Sequence, residues 1–243
     1  MRNHSPGEFK SVAFLALGLR APSRAGALCL LALVMAIATT GVLMAVRHYP
    51  VAFDWVYTVL SHLASLNRNP EGGRWISGAL LLSCCCLWPL ATYLGVAYSY
   101  RNRRPVYAIW SLRIGLIAGF ILGLEGYFNL RFSLYLYKAH EAVALFAFLG
   151  FYLGILAFHA HRIRNDWKCL FSALLVILPL CAIGCAQLYL FFGPHDLGWV
   201  NPGWRDLGIP FYLSFAFWQW VAVVSLASSL THLIISAPSK PRS

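Results

Sequence analysis

Acidic side chains are scarce in this chain: Asp and Glu together number eight in 243 residues, and charged residues of either sign make up only 11%. A soluble globular domain is usually about a quarter charged, so that class is excluded. No polar stretch is long enough for a separate soluble domain, and no internal repeat or low-complexity segment is visible. Disulfide-bonding loops are missing too. The seven cysteines, Cys29, Cys84, Cys85, Cys86, Cys169, Cys181 and Cys185, lie within or beside apolar runs. That placement argues against a disulfide framework and against cysteine-based zinc binding. The Cys84-Cys85-Cys86 triplet reads as small, soft packing material inside a helix.

What fills the chain instead is apolar: 60% of residues are hydrophobic and the mean hydropathy is +0.66. This is the composition of an integral membrane protein. Six apolar runs, approximately 26–46, 76–98, 106–128, 139–160, 169–192 and 210–236, each approach the roughly 20 residues needed to cross the hydrocarbon layer. The expected fold is all-α, a polytopic six-transmembrane-helix bundle over 26–236. A basic cytoplasmic segment precedes it (1–25) and a basic tail follows (237–243). Residues 1–24 hold an apolar patch, Val12 to Leu19, too short to span. They read as a tail or interfacial helix rather than as a cleaved signal.

The net charge of +11 has its source in the loops, which argues against nucleic acid as a partner. Twelve Lys and Arg fall at the N-terminus, in the 99–105 and 161–168 loops and at the C-terminus; six fall on the other side. The positive-inside rule therefore puts both termini in the cytoplasm, in agreement with an even number of spans. Arg113 alone is left inside a span, close enough to its start for the side chain to snorkel. The acids sort the other way. Asp54, Glu71, Glu125, Glu141, Asp196 and Asp206 fall on or near the outer side, together with His48, His62, His140 and His195.

Residues 54–74 organise this outer chemistry. On a helix, Asp54, Thr58, Ser61 with His62, and Ser65 share one face, and Phe53, Val56, Leu60 and Leu63 another. That is the pattern of an interfacial amphipathic helix between the first two spans. It ends at Asn67-Arg68-Asn69-Pro70-Glu71-Gly72-Gly73, where Pro and paired Gly stop a helix. Asn69 and Glu71 shape and cap the turn into the second span, and an acid near a helix N-terminus is favourable on dipole grounds alone.

Glu125 near the end of the third span and His140 at the start of the fourth are expected at similar depth on antiparallel neighbours. An ionisable pair at membrane depth faces a partner or a polar cavity. A metal ligand, proton relay or head-group contact is the functional reading; a Glu–His pair closing two helices is the structural one. Ser61 has no Gly-x-Ser-x-Gly elbow around it. The 193–208 loop is rich in Gly, Pro and Trp, and its His195-Asp196 lacks the His-Glu-x-x-His or His-x-x-x-His spacing of a zinc helix. A metal site would have to be assembled from His62, His140 and His195 on separate loops, with zinc or iron as the ion. At the cytoplasmic end, His159-Ala160-His161 beside Arg162 and Arg164 reads as a basic flank suited to anionic head groups. Gln219, between Trp218 and Trp220, reads as an interhelical hydrogen-bonding residue.

Leu60-Ser61-His62-Leu63-Ala64, Asn69-Pro70-Glu71 before the second span, and Gly126-Tyr127-Phe128 ahead of His140 resemble a loose group of six-span membrane proteins. One branch is the prokaryotic domain-of-unknown-function family numbered nine-nine-eight; the eukaryotic DRAM/Sfk group is more distant. Those patterns carry an acid where this chain has His62 and a glycine where it has Ala64. The resemblance implies a six-helix bundle with a lipid-related or unassigned role, and membrane lipids as partners. Ser61, His62, Asn69, Glu71, Glu125 and His140 would then line a polar pocket at the extracytoplasmic face for handling or sensing lipid. The alternative is an intramembrane metal-dependent hydrolase or transferase acting on a lipid head group, with Glu125 activating water. A small-solute transporter is the third reading, with little polar material at mid-membrane to support it.

Overall fold

A long apolar segment in hydrocarbon must satisfy its backbone N–H and C=O groups internally, and the helix does so without a partner. All six apolar runs are helices. The computed structural model describes residues 21–99, 105–130, 139–192, 205, 206, 208 and 210–238, with backbone alone for 141, 183, 184 and 186–192. The long helices are α1 (Arg24–Arg47), α3 (Gly73–Ala97), α4 (Val106–Phe128), α5 (Ala139–Asn165), α6 (Leu170–Phe192) and α7 (Phe215–Ile235), with a one-turn helix α2 (Leu60–Ala64) between the first two. Among the described residues there is no strand.

Five helices, α1, α3, α4, α5 from Ala142 onward, and α7, are long and apolar enough to cross a membrane. The apolar stretch that leads into α6, Trp167–Ala182, is shorter than a span. Five candidate spans thus stand against the six expected. The helix surfaces carry the matching signature: Leu33, Leu43, Leu82, Trp110, Phe146, Leu153, Leu175 and Val224 are all exposed. Such a surface is unfavourable in water and ordinary against lipid tails.

Small residues set the packing. Gly41 lies against Ala79, Gly119 against Cys84, Gly123 against Leu81, Gly115 against Gly150, and Gly154 against Leu112. In each pair of helices one residue number rises as its partner's falls, so α1, α3, α4 and α5 are antiparallel neighbours in chain order. Close approach of this kind lets dispersion contacts between backbones replace the hydrophobic effect, which is weak between helices in lipid. α6 packs on α7, and α7 returns against α1 and α5. A core of Leu90, Leu94, Tyr98, Ile155, Phe158, Leu180, Leu233 and Ile234 fills the half of the bundle remote from α2.

Three details depart from expectation. The interfacial amphipathic helix contracts to the single turn of α2. Upstream of it a lone turn closes, with Asp54 Oδ1 accepting from Val56 N and Tyr57 N (3.0 and 3.3 Å) and Asp54 O from Thr58 N (2.8 Å). It goes no further, because Val56 O accepts from Ser214 Oγ and Leu60 N donates to Gln219 Oε1. This is the competition that makes Asp a turn former. Second, α5 runs on to Asn165, because its last polar turn was invisible to apolar counting. Third, Arg113 does not simply snorkel: its Nη2 donates to Thr92 Oγ1 at 3.2 Å, and its guanidinium lies 5.3 and 5.6 Å from the ring centroids of Trp88 and Trp110. Cation–π contact offsets part of the cost of a charge at that depth.

Candidate functional site

The 48–72 segment closes one end of the bundle. Asn69 is its anchor, with no exposed surface. Its Nδ2 donates to Ala45 O at 2.9 Å and Leu63 O at 3.1 Å, while Oδ1 accepts from Gly72 N at 3.0 Å. One amide thereby ties the end of α1, α2 and the start of α3 together. Gly72 has to be glycine here, since a Cβ would strike the Asn69 side chain and lie 2.6 Å from Ala45 O.

On the other flank the segment is held by α7. Leu60 N donates to Gln219 Oε1 at 2.9 Å, Ser214 Oγ donates to Val56 O, and Trp55 packs on Trp220. Gln219 thus bonds to the surface segment rather than to another long helix. Asp54 Oδ2 pairs with Arg205 Nη2 at 2.9 Å, and the Arg205 guanidinium covers the Tyr57 ring.

Beneath this cap a groove of about 660 Å³ runs between α1, α3 and the end of α4. Ala36, Ile37, Gly41, Gly78, Ala79 and Leu82 make its walls apolar. Glu71, Arg74, Trp75 and Tyr127 stand at the α2 end. Both Glu71 and Arg74 are exposed, and neither forms an ion pair among the described residues. The shape is an apolar trough with one free acid and one free base at its end.

Glu125 and His140 meet as neighbours across α4 and α5. His140 Nδ1 lies 2.8 Å from Glu125 Oε2, the carboxylate accepting, and Glu125 is only 9% exposed. Asn129, in the left-handed region at φ 56°, ends α4 one turn beyond Glu125. Asparagine adopts that conformation more readily than other residues with a side chain.

Of the six residues expected to share a pocket, Glu71 alone lines the groove. Asn69 is consumed in bonds to backbone, Glu125 and His140 hold each other, and Ser61 stands exposed on α2 with no hydrogen bond to His62. The groove-forming residues Thr40, Gly41, Arg74, Trp75 and Gly78 were not anticipated. The signal available for them was small residues facing each other on two adjacent spans. Among the described residues no three His, Cys, Asp or Glu come together as a metal site, and His195 lies outside the described residues.

Burial, and then the neighbouring Arg68, hold the His62 imidazole below the usual histidine range. The folded state therefore prefers neutral His62. The unfolded chain takes up the proton near the ordinary pKa of about 6.5, so stability is lost as pH falls through that value toward the lower folded one. His62→Gln is expected to flatten the dependence of melting temperature on pH between about 7.5 and 5. An unchanged slope would remove His62 from that titration.

Apolar helices packed through small residues, apolar side chains on their outer faces and a polar cap over an open groove mark an all-helical integral membrane protein. No known protein-family model, curated protein or solved structure matches the chain.

Proposed function

We propose that the protein binds membrane lipid in the groove between α1, α3 and α4, as a lipid-handling or lipid-sensing protein. One observation carries the reading: an apolar trough ends in Glu71 and Arg74, neither of them in an ion pair among the described residues. An acyl chain laid along Ala36, Ile37 and Leu82 would place a polar head group at that acid and base. Trp75 and Tyr127, amphipathic rings suited to the interface, would flank it. In this reading α6 completes a sixth span, both termini are cytoplasmic and the groove opens to the outer leaflet. Ser61, His62 and the Glu125–His140 pair then form the polar surroundings of the head group.

The test is crosslinking of a photoactivatable phospholipid to the purified protein, followed by mapping of the labelled peptides. Label is expected on α1 and α3 around Thr40 and Gly78. Thr40 is exposed, so Thr40→Trp fills the trough without disturbing the core and should reduce labelling severalfold. Arg74→Ala should weaken binding about tenfold, the loss of one hydrogen bond to a charged group. Undiminished labelling of those peptides in Thr40→Trp would defeat the proposal.

A further inference from the structure

At the end of the bundle remote from α2, a buried guanidinium has no counter-charge among the described residues. Arg162 on α5 is 8% exposed, and among the described residues no carboxylate pairs with it. Its partners are neutral. Nη1 lies 2.9 Å from His232 Nε2 and donates to Ser236 Oγ at 2.9 Å, and Nη2 reaches Ser172 Oγ at 3.4 Å. Arginine has no acceptor, so His232 Nε2 must accept, which leaves that imidazole neutral. Three helices, α5, α6 and α7, thus converge on one positive charge that no described carboxylate neutralises.

Further polar groups around it also lack partners. His159 is fully buried, neither ring nitrogen has a hydrogen-bond partner among the described residues, and it stacks on His232 at 6.1 Å between ring centroids. Ser229 Oγ, one turn before His232 on α7, is buried and unpartnered as well. Buried polar groups are nearly always satisfied, and those that are not point to a missing water or ion. Burying a lone charge costs several kcal/mol, which a bound ion of opposite sign offsets.

The guanidinium has donors to spare. Of its five N–H groups, two on Nη1 and one on Nη2 are engaged, leaving Nε–H and a second Nη2–H. A tetrahedral oxyanion accepts such donors well, and arginine is the residue suited to bidentate phosphate contact. Arg164 and Lys168 add positive charge close by in the chain. The cluster lies within the last turns of α5 and α7, the depth of head groups if those helices span.

We propose that Arg162, held in place by His232 and by Ser236 and Ser172, whose hydroxyls donate to His232 O and Cys169 O, binds a phosphate group through its Nε–H and remaining Nη2–H. Two sources share that chemistry: the phosphate of an anionic lipid, and free inorganic phosphate.

The experiment is thermal unfolding of the full-length chain in a maltoside detergent, which carries no phosphate of its own. One arm adds phosphatidic acid, with diacylglycerol as its phosphate-free counterpart. The other adds inorganic phosphate, with chloride at matched ionic strength. Phosphatidic acid is expected to raise the melting temperature where diacylglycerol does not. An equal rise from inorganic phosphate identifies soluble phosphate as sufficient; no rise from it identifies the lipid. Arg162→Gln should weaken the apparent affinity about tenfold or more, as expected for hydrogen bonds to a charged group. Ser172→Ala, at the weakest contact, is the variant that keeps the test usable if Arg162→Gln does not fold; it should weaken binding by a smaller factor. The proposal is overturned if neither phosphate source stabilises the wild-type chain, or if both variants respond as the wild type does.

Discussion

Gly150→Ala is expected to destabilise the bundle more than any other single-methyl change in it. The added Cβ would strike Gly115 N, and would lie 2.5 Å from Gly115 Cα and 2.8 Å from Ser111 O. All three are backbone atoms, so no side chain can rotate away; α4 and α5 must separate. Overpacking of this kind costs about 1–3 kcal/mol, here with lost interhelical contact along the rest of the crossing. Gly78→Ala is the matched control. Its Cβ meets only the Tyr127 ring at 3.5 Å, ordinary contact, and alanine favours a helix over glycine by about 1 kcal/mol. Melting temperature in mild detergent should therefore fall clearly for the first variant and stay level or rise for the second. A local consequence follows, because Glu125 and His140 bridge the same two helices. Wedging the crossing should loosen their 2.8 Å contact. Equal stability of Gly150→Ala and wild type would refute the close crossing.

Asn69→Ala is expected to cost about 3 kcal/mol or more. The change removes no apolar surface of consequence, but it strands Ala45 O, Leu63 O and Gly72 N in a place without water. Each buried group left unsatisfied costs about 1–3 kcal/mol. The effect should also be local, since these bonds join the cap to the bundle. Limited proteolysis should cut within the 48–72 segment of the variant while the long helices stay protected. Asn69→Asp separates the donor's role from the acceptor's. It keeps an acceptor for Gly72 N but sets a carboxylate against two carbonyl oxygens, so its folded state favours the protonated acid. Its stability should accordingly be greater at low pH and be lost as pH rises, opposite in sign to the His62 effect. If Asn69→Asp were as stable as wild type at neutral pH, the donor bonds to Ala45 O and Leu63 O would carry no weight.

Both variants probe features that lay only partly in view in the sequence. Asn69 stood out as a turn residue beside Pro70 and two glycines, which is a local inference. Its service to Ala45, 24 positions away, depends on where α1 ends in space. The glycine contacts are similar. Gly115, Gly119 and Gly123 recur every four residues, as do Gly150 and Gly154, and this spacing marks a close helix crossing. Spacing on one helix says nothing about which helix will face it.

The membrane class and the helical state of all six apolar runs follow from the sequence alone. Hydrocarbon imposes one backbone solution on a long apolar run whatever its neighbours do, so composition and run length are enough. The expected surface helix shows the limit of that reasoning. Its residues alternate correctly for an amphipathic helix, yet Asp54, Gln219 and Ser214 offer its backbone better partners, and α2 keeps a single turn. Tertiary structure likewise decided that Glu71 joins Arg74 at the groove while Asn69 turns inward. It alone brought Arg162, His232, Ser236 and Ser172 onto one charge. These juxtapositions connect residues up to 159 positions apart. Helix periodicity cannot foresee them, because they are set by how close small residues allow the helices to come.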